Sequence, residues 1–216
     1  MATFWGSTVG KKIVMGATGL VLVAYLVLHM AGNLQVFLGR EVFNRYAELL
    51  HTSEELLWVV RVVLLICLAL HVVAASQLTI RARAARPTGY AKKETRAATL
   101  ASRLMRVGGV AILVFIPLHI LNFTTGGWHP DFAHGDVYGN VIIVFAEWPW
   151  VSVFYIAVMV FVGLHLYHGV WAMFRTLGVA RPSPSPLERR FARILAWIVA
   201  GGFVAVPAAV ALGLLR

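Results

Sequence analysis

Charged residues are scarce in this 216-residue chain: they make up 13% of it, against 60% for hydrophobic residues, and the mean hydropathy is +0.79. A soluble domain of this size usually carries about 25% charged residues. The shortage argues against an ordinary soluble globular domain and indicates a protein of the lipid bilayer.

Cysteine is almost absent, since Cys67 is the only one. A single cysteine excludes an intrachain disulfide bond and any cysteine-ligated iron–sulfur cluster built within this chain. If the protein works with such a cluster, a partner protein must supply it.

The apolar residues fall into five long runs. Each has the roughly 20 residues that a helix needs to cross a hydrocarbon core about 30 Å thick, and backbone groups there have no water to bind, so each run must be helical. The first run follows Lys11 and Lys12. It is longer than a signal-peptide core and is followed by no small-x-small cleavage pattern, so we expect a retained helix. The sequence therefore predicts an all-α integral membrane bundle, one domain over 1–216, with transmembrane helices at approximately 13–38, 56–80, 105–123, 151–174 and 191–215.

The formal net charge is +10, and the basic residues are unevenly placed. Most of them lie at the N-terminus and in the second and fourth loops, whereas most acidic residues lie in the other loops. The positive-inside rule then predicts a cytoplasmic N-terminus and an external C-terminus. The basic loops are expected to face anionic lipid and a soluble partner rather than nucleic acid. A short surface helix is expected to begin near Lys92, and an extended crossing is expected in the proline- and serine-rich fourth loop.

Ionisable side chains are rare within the five runs, and most of them are histidines: His29, His71, His119, His165 and His168. Ionisable residues at such positions are expensive and are commonly functional. With a rise of about 1.5 Å per residue, His29 and His119 are expected roughly 21 to 24 Å from the basic side of the membrane, and His71 and His165 roughly 15 Å from it. The sequence thus predicts two levels, each with one pair of histidines.

A pair of imidazoles on facing helices is what a six-coordinate b-type haem requires. Several glycines near the histidines leave room for a flat macrocycle, although glycine is also common wherever transmembrane helices meet. They are Gly16, Gly19, Gly32, Gly108, Gly109, Gly163 and Gly169.

Other roles for these histidines stay open. They can form interhelical hydrogen bonds or relay protons. Zinc would lack its third and fourth ligands, whereas copper could recruit Cys67, one turn from His71. His168 competes with His165 for the fourth position; depth favours His165, which leaves His168 to contact a haem propionate or a quinone.

Three motifs resemble one known family: HMAGNLQVF at 29–37, GREVFNRYAELL at 39–50 and GLHLYHGVW at 163–171. With the single histidines of the second and third runs, they are similar to the cytochrome b subunit of succinate dehydrogenases and fumarate reductases. The closest class has one membrane subunit with five helices and two haems. The resemblance covers essentially the whole chain.

This resemblance implies a function for the chain. It would hold two b-type haems, one between His29 and His119 and one between His71 and His165. Electrons would come from succinate through a flavoprotein with covalent FAD and an iron–sulfur protein docked on the cytoplasmic basic loops, pass from the inner to the outer haem, and reduce a quinone, usually menaquinone. The dicarboxylate site would lie in the flavoprotein, and the complex in the bacterial cytoplasmic membrane. One departure is Gly163, where some members carry a glutamate associated with proton transfer.

The quinone site has candidates at both ends of the bundle. His51, Glu54 and Glu55 lie at the outer end of the second predicted helix. Ser76, Arg81 and His168 are the candidates near the inner haem, where Arg81 is also expected to pair with a propionate or a lipid phosphate.

Two rival functions remain at this stage. One is a two-haem cytochrome b subunit of a hydrogenase or formate dehydrogenase. The other is a transporter or scaffold without haem, whose histidines relay protons or join helices.

Overall fold

A computed structural model of the chain describes residues 4–85, 99–178 and 186–216, and in these residues all regular structure is helical. The helices are α1 Thr8–Asn33, α2 Arg40–His51, α3 Glu54–Ala84, α4 Leu100–Phe123, α5 Val137–Glu147, α6 Pro149–Thr176 and α7 Pro186–Ala211, and a 3₁₀ turn, Leu34–Leu38, extends α1. The surface helix expected near Lys92 and most of the proline- and serine-rich crossing lie outside the described residues.

Five of these helices, α1, α3, α4, α6 and α7, are long and apolar enough to cross a bilayer. The five predicted spans are therefore confirmed, although their ends differ. α1 and α4 begin about one turn earlier than expected, because Ser7 and Thr99 cap them by accepting hydrogen bonds from the backbone N–H groups of Gly10 and Ser102. α7 ends at Ala211 rather than 215, just before Gly213, which has a left-handed φ of 70°.

The sequence interpretation missed two short helices, α2 and α5. α2 starts after Gly39, whose φ of 97° turns the chain away from α1, and it buries Phe43. α5 has 11 residues and follows Asp136, whose side chain caps it by accepting from the N–H of Gly139. At about 1.5 Å per residue, neither helix can cross a bilayer.

The spans alternate in direction. Near the start of α1, the Arg81 guanidinium at the end of α3 donates to the carbonyl of Gly6 at 2.9 Å, and Phe174 at the end of α6 packs against Phe191 at the start of α7. We call this side the N-terminal face and the other the opposite face. At the opposite face, Tyr138 donates its hydroxyl to the carbonyl of Arg216.

Among the transmembrane helices, α6 packs most closely with α7, and α1 with α3 and α4 with α6 also form close pairs. α7 packs on α6 and also contacts α1, so it closes one side of the bundle. The seam between the α1–α3 and α4–α6 pairs is where the histidines lie. α3 is attached mainly through α1 and buries only Ala74, so most of its apolar surface is left for lipid or for the seam.

Charge divides the two faces. The described part of the N-terminal face is strongly basic, with Lys11, Lys12, Arg81, Arg83, Arg103, Arg106, Arg175, Arg189, Arg190 and Arg193. The opposite face is mixed, with acidic Glu41, Glu48, Glu54, Glu55, Asp131, Asp136 and Glu147 and basic Arg40, Arg45 and Arg216. The asymmetry expected from the sequence is thus present in the folded chain.

Candidate cofactor-binding site

His29 on α1 and His119 on α4 meet across the seam toward the opposite face. Their ring centroids are 5.7 Å apart and the rings are nearly perpendicular, at 82°. Phe203 of α7 lies 5.6 Å from the His29 ring, and Phe115 stacks at 5.5 Å from His119. The sequence predicts the same pair. Aromatic side chains pack against both rings.

His71 on α3 and His165 on α6 meet at a second level nearer the N-terminal face. Their ring centroids are 6.3 Å apart, with 55° between the ring planes. A glycine faces each ring from the neighbouring helix. A Cβ atom placed on Gly19 would lie 3.3 Å from Cε1 of His71, and one placed on Gly109 would lie 3.6 Å from Cε1 of His165.

The distance between the two levels follows from these contacts. Gly19 precedes His29 by ten residues on α1, and Gly109 precedes His119 by ten residues on α4, so both helices separate the levels by about 15 Å. The sequence estimate placed them only about 6 to 9 Å apart. That estimate was wrong because it assumed that Arg81 and residue 13 lie at the same depth in the membrane. In the structure the Arg81 side chain reaches the carbonyl of Gly6, so the inner level lies closer to the N-terminal face.

Hydrogen bonding orients the His71 ring. Its Nδ1–H donates to the backbone carbonyl of Met15 at 3.0 Å, and the Thr18 hydroxyl lies 3.5 Å from the same nitrogen. With Nδ1 acting as the donor, Nε2 carries a free lone pair. Histidines that bind metals commonly have this arrangement, in which one nitrogen donates to a carbonyl and the other takes the metal.

The other three paired histidines are held less tightly. Nδ2 of Asn33, one turn beyond His29, lies 3.4 Å from Nε2 of His29, which is long for a hydrogen bond. Nδ1 of His119 and Nδ1 of His165 are buried without a hydrogen-bond partner in the described part of the chain. Leaving a polar atom buried and unpaired costs about 1 to 3 kcal/mol, so the seam is incomplete as a purely structural contact.

The two pairs fit a group that takes one imidazole on each side. Imidazoles bound to opposite sides of one metal atom by bonds of about 2 Å have ring centres about 6 Å apart. In the described residues, no further histidine, cysteine or carboxylate joins either pair within ligand distance, so a zinc ion would find only two protein ligands. A haem with two histidine ligands would fit the donor set of each pair. Two glycines flank the His71–His165 pair, and aromatic side chains flank the His29–His119 pair.

His168 lies one turn after His165 on α6 and takes no part in the His71–His165 ring contact. Its ring packs edge-on against Trp171 at 5.8 Å, and its Nδ1 and the indole Nε1 of Trp171 are both buried without a partner among the described residues. The guanidinium groups of Arg189 and Arg175 lie 4.5 and 5.5 Å from the Trp171 ring centre. His168 is thus a neighbour of the site on the N-terminal face.

The remaining candidates for polar contacts are scattered. His51 ends α2 and lines an open cavity of about 730 Å³ with Arg45, Glu48 and His134. Glu54 and Ser76 are exposed on α3. Arg81 is bound to Gly6. Within the described residues, no hydrogen bond or ring contact joins any of these four candidates to a paired histidine.

Gly163 faces α7 rather than the seam, since a Cβ atom placed there would lie 3.2 Å from Cβ of Ala200. A long acidic side chain at this position would meet α7.

The sequence reasoning missed a polar network centred on Asp136 at the opposite face. Its carboxylate accepts from Arg40 and Asn44, both at 2.9 Å, and from the N–H of Gly139 at 3.1 Å. The Asn44 amide, followed by the Gly139 N–H and the Arg40 guanidinium, lowers the pKa of Asp136 below its ordinary value, although burial opposes this effect. The network ties α2 to the start of α5.

Comparisons of the chain with known protein families, curated proteins and solved structures gave no match.

Proposed function

We propose that this chain is the membrane subunit of a succinate:quinone oxidoreductase, and that it holds two b-type haems in the seam between the α1–α3 and α4–α6 pairs. The observation that carries the proposal is the meeting of four histidines from four helices in two pairs, His29 with His119 and His71 with His165. In the described residues no hydrogen bond joins the two rings of either pair, so an interhelical hydrogen bond does not account for these contacts.

The roles of the residues follow from their surroundings. His71 presents Nε2 to the seam because Met15 holds its Nδ1–H, and Gly19 and Gly109 keep the walls beside His71 and His165 flat. A haem bound by two imidazoles carries single electrons and offers no open position to oxygen. Phe203, which packs against His29, and Phe115, which packs against His119, exclude water from the His29–His119 level.

The family resemblance supports the choice of complex. HMAGNLQVF spans the end of α1 and the 3₁₀ turn, GREVFNRYAELL forms α2, and GLHLYHGVW lies on α6 with His165, His168 and Trp171. The first motif thus carries His29 and the third carries His165, and the second follows directly on the first. A two-haem cytochrome of a hydrogenase or formate dehydrogenase is the main alternative, and the identity of the co-purifying partner separates the two.

Orientation and partner follow from the charges. By the positive-inside rule, the N-terminal face is cytoplasmic and Arg216 is external, as expected in the plasma membrane of a bacterium. The iron–sulfur protein would dock on this basic face, next to the His71–His165 level, with the FAD-containing flavoprotein behind it. Anionic lipid headgroups would occupy the rest of the basic surface.

The quinone, which we take to be menaquinone, needs a hydrogen-bonding group near one of the two levels. His168 and Trp171 offer buried, unpartnered nitrogens near the N-terminal face. His51 offers an exposed imidazole in an open cavity at the opposite face. Replacing His168 or His51 in the assembled complex, and comparing the KM for quinone, distinguishes the two ends.

Purification of a tagged chain from its native membrane tests the proposal. We expect a flavoprotein and an iron–sulfur protein to co-purify, with succinate:quinone reductase activity that an anti-tag column removes from the extract. Co-purification of a hydrogenase or formate dehydrogenase would favour the alternative cytochrome. A chain that carries haem but brings down none of these proteins would contradict the succinate assignment while leaving the haem site standing.

A further inference from the structure

The loop between α4 and α5 contains a buried histidine that plays no part in the seam. His129 is only 5% exposed, its ring lies 5.0 Å from that of Trp148, and its backbone N–H donates to the carbonyl of Gly126. Its side chain is thus held in one place by the turn and by the tryptophan.

The ring nitrogens of His129 have no hydrogen-bond partner in the described part of the chain. Nε2 lies 3.3 Å from Oε2 of Glu147, close enough for an ion pair but without the geometry of a hydrogen bond. A buried imidazole in this state is costly for the fold unless another group binds it. Its position beside an anion suggests what that group is.

A second carboxylate completes the cluster. Each of His129, Asp131 and Glu147 offers one ligand atom, and these three atoms lie within 4.8 Å of one another. Glu147 is the last residue of α5, and Asp131 and His129 belong to the preceding loop, so three separate positions in the chain converge. No arginine or lysine among the described residues forms an ion pair with either carboxylate.

We propose that His129, Asp131 and Glu147 bind a divalent transition-metal ion, for which zinc is the best match. An imidazole nitrogen with two carboxylate oxygens suits zinc, whereas magnesium and calcium prefer ligand sets made only of oxygen. Both carboxylates are exposed, so the ion can enter from the solvent and keep water in its remaining position. This site is independent of the haem ligands and of the proposed function.

The ion would fasten the loop to the corner between α5 and α6. Trp148 occupies that corner and already packs against His129. A metal bond to Glu147 would add a second attachment at the same point. We therefore expect zinc to stabilise the folded chain, because it binds the folded arrangement and finds no such cluster in the unfolded chain.

Calorimetric titration with zinc tests the site, using the full chain in detergent after removal of free metal with EDTA. We expect one zinc ion per chain, in addition to any haem iron, with a dissociation constant of about 1 μM or lower. Asp131→Asn and Glu147→Gln should each weaken binding more than about 10-fold. Glu55→Gln, an exposed carboxylate outside the cluster, should bind zinc like the unaltered chain.

Thermal unfolding separates lost ligands from lost folding. In EDTA, Asp131→Asn should melt like the unaltered chain, and Glu147→Gln should melt no higher because it loses the ion pair with His129. Added zinc should raise the melting temperature of the unaltered chain and of Glu55→Gln only. Absence of stoichiometric zinc, or equal binding by Asp131→Asn, Glu147→Gln and Glu55→Gln, would overturn the proposal and leave His129 and Glu147 as a simple ion pair.

Discussion

The ring of His71 on α3 is fixed by the backbone of α1, since its Nδ1 lies 3.0 Å from the carbonyl oxygen of Met15. The acceptor is a backbone oxygen, so this hydrogen bond does not depend on which side chain is present at position 15. The free Nε2 then points away from α1, and His165 is the imidazole that faces it across the seam. A structural hydrogen bond and a free ligand nitrogen are thus combined in one side chain.

Removing one histidine should empty only its own level. We expect His71→Ala and His29→Ala each to bind one haem per chain in place of two, because the levels are about 15 Å apart and share no ligand. Haem content per protein and redox titration measure this, and each variant should lose a different potential. His134→Ala, in an exposed loop, should keep both haems. Loss of both haems from each variant would contradict the pairing.

His165 and His168 give a matched pair of variants on one helix. His165→Ala should lose the haem of the level nearer the N-terminal face, because its ring faces His71. His168→Ala should keep both haems, because its ring packs on Trp171. Haem content and the α-band spectrum check this. If His168→Ala loses a haem while His165→Ala keeps two, the ligand has been assigned to the wrong residue.

The glycine walls make a steric prediction. Leucine at Gly19 or Gly109 would push into the space beside His71 or His165, where even a Cβ atom has 3.3 or 3.6 Å to the ring. We expect each variant to lose haem from this level and to keep the His29–His119 haem. Overpacking of this kind costs about 1 to 3 kcal/mol.

Gly201→Leu is the control for both glycine variants. A Cβ atom there meets nothing within 4 Å, and the residue is exposed on α7. It should keep two haems. Equal haem loss from Gly201→Leu would show that leucine harms the bundle in general and does not act through the histidines.

Parts of this arrangement follow from the sequence and parts do not. The five helical spans could be predicted because hydrophobic length fixes them. The sequence also indicated which histidines meet, but it underestimated the distance between the two levels. α2 was missed because it is short and amphipathic, and a search for long apolar runs does not detect such a helix. Its apolar positions do recur with a helical period.

The contacts between distant parts of the chain could not be predicted. The bond from His71 to Met15 joins residues 56 positions apart, and no local pattern marks a carbonyl as an acceptor. The same holds for His129 and Glu147, which meet only when the loop folds back on α5. Asn33 did carry a signal, as a polar side chain one turn after His29, and the sequence interpretation overlooked it.

Asp136 should make stability depend on pH. Its folded-state pKa is lowered, so its contribution is present above the unfolded value of about 3.9 and is lost as the pH falls through the folded value. Asp136→Ala removes the α5 cap and the contacts to Arg40 and Asn44, and should cost about 0.5 to 2 kcal/mol at pH 7.

Thermal unfolding in detergent, measured from pH 7 down to about pH 3, checks this prediction. The difference in melting temperature between the unaltered chain and Asp136→Ala should be steady above about pH 5 and shrink below about pH 4. Glu41→Gln, an exposed carboxylate in the first turn of α2, is the control and should melt like the unaltered chain. A difference that stays constant to the lowest pH would show that the carboxylate charge plays no part.

The reduced-minus-oxidised spectrum of the purified chain, with haem counted per protein, tests whether the seam holds two haems. We expect a b-type α-band and two haems per chain, which titrate at two potentials. A purified, folded chain with no α-band, or with a single haem that survives both His71→Ala and His29→Ala, would contradict this expectation.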